Sequence, residues 1–317
     1  MTRFILQRLA ETLIVLLVMS LVIYGLIGLM PGDPIDLMLT ADPKLTAADV
    51  ARLKALQGLD QPLIHRYLLW LSAALQGDFG YSRLQSLPVW QVLPPRLWNT
   101  ILLMGLSLLI ALAVAIPAGV RAAARPGSLV DNLINLVAFA GISLPQFWLA
   151  ILLIMLFSVY LHILPASGMA TVGVHSLADR AAYLILPVLS LTIVTIGSQL
   201  RYVRSAMIEV LRQDYIRTAR AKGASRWRLL YGHALRNAMI PLVTILALDF
   251  GTLFSGSLIS EQMFAYLGMG KTIYDAIMGN DYNLAMVSLL LGTAVVLLSN
   301  LAADLAYAWL DPRISYR

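Results

Sequence analysis

Cysteine is missing from all 317 residues. Its absence excludes a disulfide framework, a thiolate metal site and a thiol nucleophile. Charge is scarce too. Asp, Glu, Lys and Arg make up 13% of the chain, about half the share found in an ordinary soluble domain. Low charge beside high apolar content excludes disorder, which needs the opposite balance. Histidine is sparse: His65, His162, His175 and His233 do not pair at i, i+4, so spacing gives no metal site. There is no HExxH motif, no intramembrane Ser/His pair and no cluster of acids to support a membrane enzyme. What is abundant is apolar, at 59% of residues with a mean hydropathy of +0.78. These residues come in blocks rather than scattered among polar positions, which excludes a soluble globular domain.

A bilayer core of about 30 Å needs roughly 20 helical residues. Charge-free runs of that order occupy Thr12 to Met30, Leu97 to Val120, residues 132 to 161, Ala181 to Leu200 and Tyr282 to Ala303. A further run over 238 to 260 is interrupted only by Asp249, so the expectation is six membrane-spanning helices. The first run follows Arg3 and Arg8, as a signal peptide would. It exceeds a signal h-region of roughly 7–15 residues, and Met30-Pro31-Gly32-Asp33-Pro34 offers no small-x-small cleavage site, so a retained helix is expected.

Lys and Arg in the short loops set orientation. Arg3, Arg8, Arg121, Arg125, Arg313 and Arg317 fall on one side, together with nine basic residues between Arg201 and Arg236. Six of the eight on the other side lie in one long loop, where charge carries little weight. Both termini are therefore expected in the cytoplasm. The net charge of +6 then reflects topology and an anionic inner leaflet, not nucleic acid. The organisation expected is residues 1–30 as an N-terminal tip and first span, 31–96 as a large extracytoplasmic loop with short helices, 97–310 as the transmembrane domain with a coupling loop at 201–238, and 311–317 as a cytoplasmic tail.

Within the outer loop, residues 47 to 56 read as a short helix capped by Thr46, and His65 to Leu75 as a second entered through Pro62. Gly77-Asp78-Phe79-Gly80 reads as a turn. The cytoplasmic loop is more informative. Arg201 to Arg212 continues the fourth span, Asp214 to Lys222 is helical, Gly223 ends that helix and Ser225 caps the next. Trp227, Leu230 and Tyr231 then share one face at i, i+3, i+4. This aromatic-apolar knob between basic residues fits an interfacial helix on the inner membrane surface or a plug for a groove on a cytoplasmic partner.

Residues 217 to 225, Arg-Thr-Ala-Arg-Ala-Lys-Gly-Ala-Ser, resemble the EAA loop of membrane subunits of binding-protein-dependent ABC importers. His233-Ala234-Leu235-Arg236-Asn237-Ala238-Met239-Ile240-Pro241 extends the likeness in the peptide/nickel branch. Pro31-Gly32-Asp33-Pro34, Gly58 to Leu63, Gly77 to Gly80, Ile142-Ser143-Leu144-Pro145, Ile163-Leu164-Pro165, Glu261 to Gly270, Asp281-Tyr282 and Asp311-Pro312-Arg313 agree in order along the whole chain. The acidic residue of the EAA signature is absent, and the Leu-Pro that closes the general motif reads Leu235-Arg236; both are usual in this branch. The family's Trp-Pro before Gly-Leu-Gly reads Tyr266-Leu267, which is less usual.

The resemblance implies an all-α integral membrane protein with the type I ABC importer (MetI-like) fold. It implies a homologous second permease subunit, two cytoplasmic ATP-binding subunits and an extracytoplasmic solute-binding protein. ATP and Mg would be used by those ATPase subunits, with no cofactor bound by this chain. The coupling helix would draw on Arg217, Thr218, Ala219, Lys222, Gly223, Ala224, Ser225, Arg226, Trp227, Leu230 and Tyr231. This favours the partner reading of the aromatic knob. Candidates for the translocation path are Asp249, an ionisable residue inside a span, Ser255 and Glu261. Gly268-Met269-Gly270-Lys271-Thr272 imitates the end of a Walker A loop, but Ala265 stands where the motif needs glycine, so no ATPase site is expected here. The cargo expected is dipeptides or oligopeptides, with nickel or a metallophore complex as the alternative. An ion-coupled secondary transporter would need inverted repeats and several buried acids, and neither is evident.

Overall fold

The computed structural model describes residues 2–29 and 61–310. The expected helix at 47 to 56 and the tail at 311–317 lie outside the described residues. Helices account for most of the rest: α1 (Thr2–Gly28), α2 (Leu63–Leu75), α3 (Val89–Ala123), α4 (Leu129–Ser143), α5 (Gln146–Leu153), α6 (Leu177–Leu211), α7 (Asp214–Ala221), α8 (Leu235–Met263), α9 (Met269–Met278) and α10 (Tyr282–Leu310). Two π-helical turns occur, Ile154–Tyr160 continuing α5 and Arg228–Ala234 leading into α8. A two-residue hairpin, β1 (Tyr81–Ser82) with β2 (Leu87–Pro88), precedes α3.

Among the described residues, four stretches are long and apolar enough to cross a membrane: Ile5–Gly28, Val89–Ala123, Leu177–Leu211 and Tyr282–Leu305. The run expected as one span over 132 to 161 is two helices, bent by 98° between α4 and α5. Leu144 and Pro145 cause the break. Proline has no N–H to continue the helix, and it pushes the preceding residue out of the helical region. Leu144 is accordingly extended, at φ −81° and ψ 125°. Counted as one span, the bent pair makes five. The run at 238 to 260 lies on α8, a continuous 29-residue helix.

The described chain forms two compact units. The first, Met1–Trp98 with Lys271–Val295, is held by specific polar and aromatic contacts. Tyr67 on α2 shares a 2.7 Å hydrogen bond with Ser20 on α1, and its ring packs beside those of Tyr24 and Trp70. The Gly77–Gly80 turn is an Asx turn, in which the Gly80 N–H donates to Asp78 Oδ1 at 2.9 Å. Gly80 has φ +74°, and a Cβ there would lie 2.7 Å from Asn283 Nδ2. Buried Asp281 pins the hairpin, accepting from the Ser82 hydroxyl at 2.6 Å and the Leu84 N–H at 2.9 Å.

The second unit, Asn99–Gly270 with Val296–Arg317, contains the coupling segment. Helices α4 and α6 approach backbone to backbone. A Cβ on Gly197 would stand 2.5 Å from the Ala138 carbonyl oxygen, and one on Gly141 3.0 Å from that of Ile193. Small residues of this kind let membrane helices meet closely. Helix α4 starts at Ser128, whose hydroxyl accepts from the Asp131 N–H at 3.2 Å. The Asp131 carboxylate then receives Arg204 of α6 in a bidentate pair, at 2.6 Å from Nε and 2.7 Å from Nη2. Gly127 N–H and the Asn135 amide complete its partners at 2.8 and 2.7 Å.

Candidate coupling site

Helix α6 runs on to Leu211, well past the end of its charge-free run, as the sequence indicates. The chain turns at Arg212 and Gln213 and re-enters a helix at Asp214. Asp214 offers its carbonyl to the Thr218 hydroxyl at 3.0 Å and its carboxylate to Arg217 at 3.3 Å. Both members of that ion pair are exposed, so it contributes little to stability. The anchor of α7 is apolar. Ile216 is fully buried in a cluster with Val120, Val203, Met207, Leu229, Ala234 and Leu242. Thus α7 is seated on α3, α6, the second π turn and α8 chiefly through Ile216, while its polar face is left outward.

The end of α7 follows from Gly223, which has φ +82°. Its N–H donates to the Arg220 carbonyl at 3.0 Å, and the Ala224 N–H reaches the Ala219 carbonyl at 3.2 Å. This is a Schellman closure, and the left-handed residue in it favours glycine. Ala219 and Ala224, the two residues such a closure brings into contact, both pack against the Ile216 cluster. Lys222 sits at the C-cap, exposed. Ser225 starts the next helical stretch as expected. Its carbonyl accepts from Leu229 N–H at 2.9 Å and its hydroxyl from Arg228 N–H at 3.4 Å.

That stretch is where structure and sequence differ. The spacing treats it as an α-helix with Trp227, Leu230 and Tyr231 on one face. From Arg228 to Ala234 it is wound as a π-helix. A wider turn of this kind brings i and i+4 together and carries i+3 off the shared face. Trp227 and Tyr231 indeed meet with ring centroids 4.0 Å apart. Leu230 packs inward on the Ile216 cluster instead, and Tyr231 is half-buried against the same cluster. Trp227 remains 70% exposed. The knob is therefore one outward tryptophan steadied by a tyrosine. Arg226 beside it donates to the Ala124 carbonyl, at the end of α3, at 3.4 Å.

The coupling residues inferred from sequence thus come together in one helix–turn–helix, while the path candidates lie elsewhere. Asp249 and Ser255 fall on α8, and their side chains lie outside the described residues. Glu261 stands at the far end of the helical rod that begins at the knob. The 29 residues of α8 alone span about 43 Å. Glu261 is fully buried within this chain. It accepts from Thr100 Oγ1 at 2.5 Å, and Thr100 Oγ1 accepts from Met269 N–H at 2.7 Å. A Cβ on Gly268 would overlap the Glu261 carboxylate, and one on Gly270 would lie 2.4 Å from Leu258 Cα. The glycines of the false Walker motif are thus packing positions. Lys271 pairs with Asp275 at 2.9 Å.

Tyr266 and Leu267, the departure from the family pattern, have a structural account. Tyr266 donates through its hydroxyl to the Asn99 carbonyl at 3.3 Å. Burial, reinforced by the charge of Glu261, pushes its phenol up to about 12. Leu267 donates its N–H to the Met169 sulfur at 3.4 Å, a bond proline could not make. Sequence reasoning missed the Asp131–Arg204 pair. Nothing in the sequence pairs Asp131 with a residue on another helix.

Known proteins match this sequence over its whole length. A family model described as the binding-protein-dependent transport system inner membrane component matches residues 115–316, and the corresponding N-terminal model matches residues 1–104. The chain belongs to this family. As one of its membrane components, it is 39% identical to the oligopeptide transport system permease protein AppB of Bacillus subtilis (strain 168), over 100% of both chains. It is 35% identical to the dipeptide transport system permease protein DppB of Escherichia coli (strain K12), again over 100% of both. A solved structure of the MetNI methionine ABC transporter, in an inward-facing conformation, is similar with a TM-score of 0.57 and 20% identity. That likeness covers 70% of this chain and 97% of the other, and it shows that this membrane component shares the MetI-like fold.

Proposed function

We propose that the chain is the permease subunit of an ATP-driven importer that passes peptides received from an extracytoplasmic binding protein. The observation that carries this is the coupling segment: an exposed Trp227 on a rigid helix–turn–helix, anchored by Ile216 where α3, α6 and α8 meet. A solvated loop has no reason to hold a tryptophan outward on so well-built a base. A groove on an ATP-binding subunit gives it one. A push on that knob would be passed directly to three long helices. ATP closing the ATPase pair would thus favour one orientation of the helices over the other, which is what coupling requires.

Six spans complete this reading: the four long helices, the bent α4–α5 pair and α8. Both termini and the coupling segment lie in the cytoplasm, the large loop after α1 lies outside, and the membrane is the bacterial inner membrane. A homologous second permease and two ATP-binding subunits complete the assembly. ATP and Mg serve those subunits and not this chain. The family description and the names of the relatives support the peptide reading over nickel. Asp249, Ser255 and Glu261 stay as candidates for the path.

The test is uptake and ATP hydrolysis by the assembled transporter carrying Trp227→Ala or Gly223→Pro. Expected is a loss of ATPase subunit association, or hydrolysis that no longer responds to loaded binding protein, with the membrane fold kept. Normal peptide uptake by both variants refutes the coupling assignment.

A further inference from the structure

Helix α2 is apolar and 13 residues long, about 20 Å from end to end and too short to cross a bilayer. Its contacts with α1 show where it lies. The Tyr67 hydroxyl shares its buried 2.7 Å hydrogen bond with Ser20, deep in the first span. Arg8 and Glu11 pair at the inner end of that span. A hydrocarbon core of about 30 Å counted from Thr12 leaves Ser20 about 18 Å below the outer edge, and counting inward from Met30 leaves it about 15 Å below. A tyrosine and a serine joined hydroxyl to hydroxyl hold their Cα atoms at most about 12 Å apart. The Tyr67 backbone is therefore at least about 2 Å inside the hydrocarbon, even with α1 tilted by about 20°. The start of α2 agrees, because a Cβ on Gly28 would stand 3.2 Å from Leu63 Cδ1, and Gly28 precedes the outer end of the run at Met30. The turn after α2 is tied higher. Asn283, beside the outer end of the α10 run, donates to the Tyr81 carbonyl at 3.1 Å. Val89, eight residues before the charge-free run of α3 begins, donates to the Gly80 carbonyl at 3.0 Å. Measured on either helix, that turn is at or beyond the edge. The first two turns of α2 are thus inside it, and the helix rises out towards Gly77.

The same contacts fix how α2 is rotated. Tyr67 meets Ser20, while Arg66 reaches the hydroxyl of Tyr24, one helical turn nearer the outside. Passing from Arg66 to Tyr67, about 100° round the helix, therefore turns towards the bilayer interior. A further turn of about 40–100° in that sense meets Leu71, Ile64, Leu75 and Leu68. Ile64 and Leu68 are more than half exposed within the chain. The opposite side carries Arg66, Leu69, Ala73 and Gln76, with His65 at its margin. A helix lying in the plane of a membrane is laid out in this way, with one face in hydrocarbon and another towards water. Here its flank rests on α1. We propose that the first two turns of α2 are embedded in the outer leaflet, with Ile64, Leu68 and Leu71 on acyl chains. The segment expected as an extracytoplasmic loop thus supplies a membrane anchor that holds α1 at a set depth. The outer side rests on the topology proposed above; the embedding does not.

The test uses two neighbouring leucines of equal exposure. Leu68 and Leu69 are 54% and 55% exposed, yet the rotation puts the first in lipid and the second towards water. Ile64→Cys, Leu68→Cys and Leu69→Cys are each labelled with bimane, since this chain has no other thiol. Each is studied in the transporter assembled with cysteine-free partner subunits, in nanodiscs. Dibrominated phosphatidylcholine quenches from within the membrane and iodide from water. Brominated lipid is expected to quench bimane at 64 and 68 at least about twofold more than at 69, and iodide to show the reverse order. All three side chains are exposed, so the labels leave the packing on α1 intact. Equal iodide quenching at all three, with none from lipid, overturns the proposal and makes α2 part of a soluble cap. Shielding of 64 and 68 from both quenchers also overturns it, and assigns that face to a protein partner. Sealed right-side-out vesicles separate the two inferences. If bimane at 69 is quenched only by iodide trapped inside while the lipid pattern holds, the topology and the outer placement fail together and the embedding stands.

Discussion

Glu261 shows how one buried acid can be read two ways. By sequence it is an acid at the end of a span, and so a candidate for function. In the structure it is a brace, bound by Thr100 and covered by Gly268 with no room for a methyl group. Gly268→Ala should therefore destabilise the outer turn, and Thr100→Val should do so by about 1.5–3 kcal/mol, the worth of a hydrogen bond to a charged group. Thermal unfolding of the purified complex would read both. Asp131→Ala should cost at least as much, because it strands Arg204 and empties four hydrogen bonds. Tyr266 gives a pH prediction. Its phenol loses its proton near 10 when the chain is unfolded and only at about 12 when folded. Between those values the folded state holds the extra proton, so stability falls as pH rises from 10 to 12. Tyr266→Phe should remove that slope without abolishing the fold. An equal slope in both proteins would mean that the phenol is not held neutral by its surroundings.

At the scale of elements, helix ends were more legible in the sequence than helix faces. Gly223, Ser225, Pro62 and the Gly77–Gly80 turn stand where their chemistry places them, because caps and turns depend on a few adjacent residues. The bend at Leu144–Pro145 was there to be read in the proline, but the unbroken apolar run concealed it. The π winding after Trp227 was not legible at all, since nothing in the spacing marks a helix that widens. The Asp131–Arg204 clamp was hidden for another reason. It joins α4 to α6 across 73 residues of chain, and sequence patterns report neighbours along one helix, not partners on the next. The π turn carries its own prediction. Tyr231→Ala should free the Trp227 ring and lower coupling efficiency, seen as more ATP hydrolysed per peptide imported, while Tyr231→Phe, which keeps the ring contact, should preserve it.

Across the whole molecule, the scarcity of charge and the absence of cysteine take on a use. Apolar blocks become the long helices, and basic residues gather in the segment proposed to meet a partner. The identity of the cargo was not legible, because no residue pattern in the described helices encodes it; the relatives' names supply the peptide reading. The central claim is that Trp227 is the point at which ATP-driven motion enters this chain. A single cysteine placed beside it by Arg228→Cys, with the tryptophan kept, and labelled with a benzophenone maleimide tests it most directly, since this chain has no other thiol. In the assembled transporter in membranes, illumination should join this chain to an ATP-binding subunit, with a yield that changes when ATP is bound. Photolabelling of lipid alone, with no crosslink to that subunit in either nucleotide state, would contradict the account.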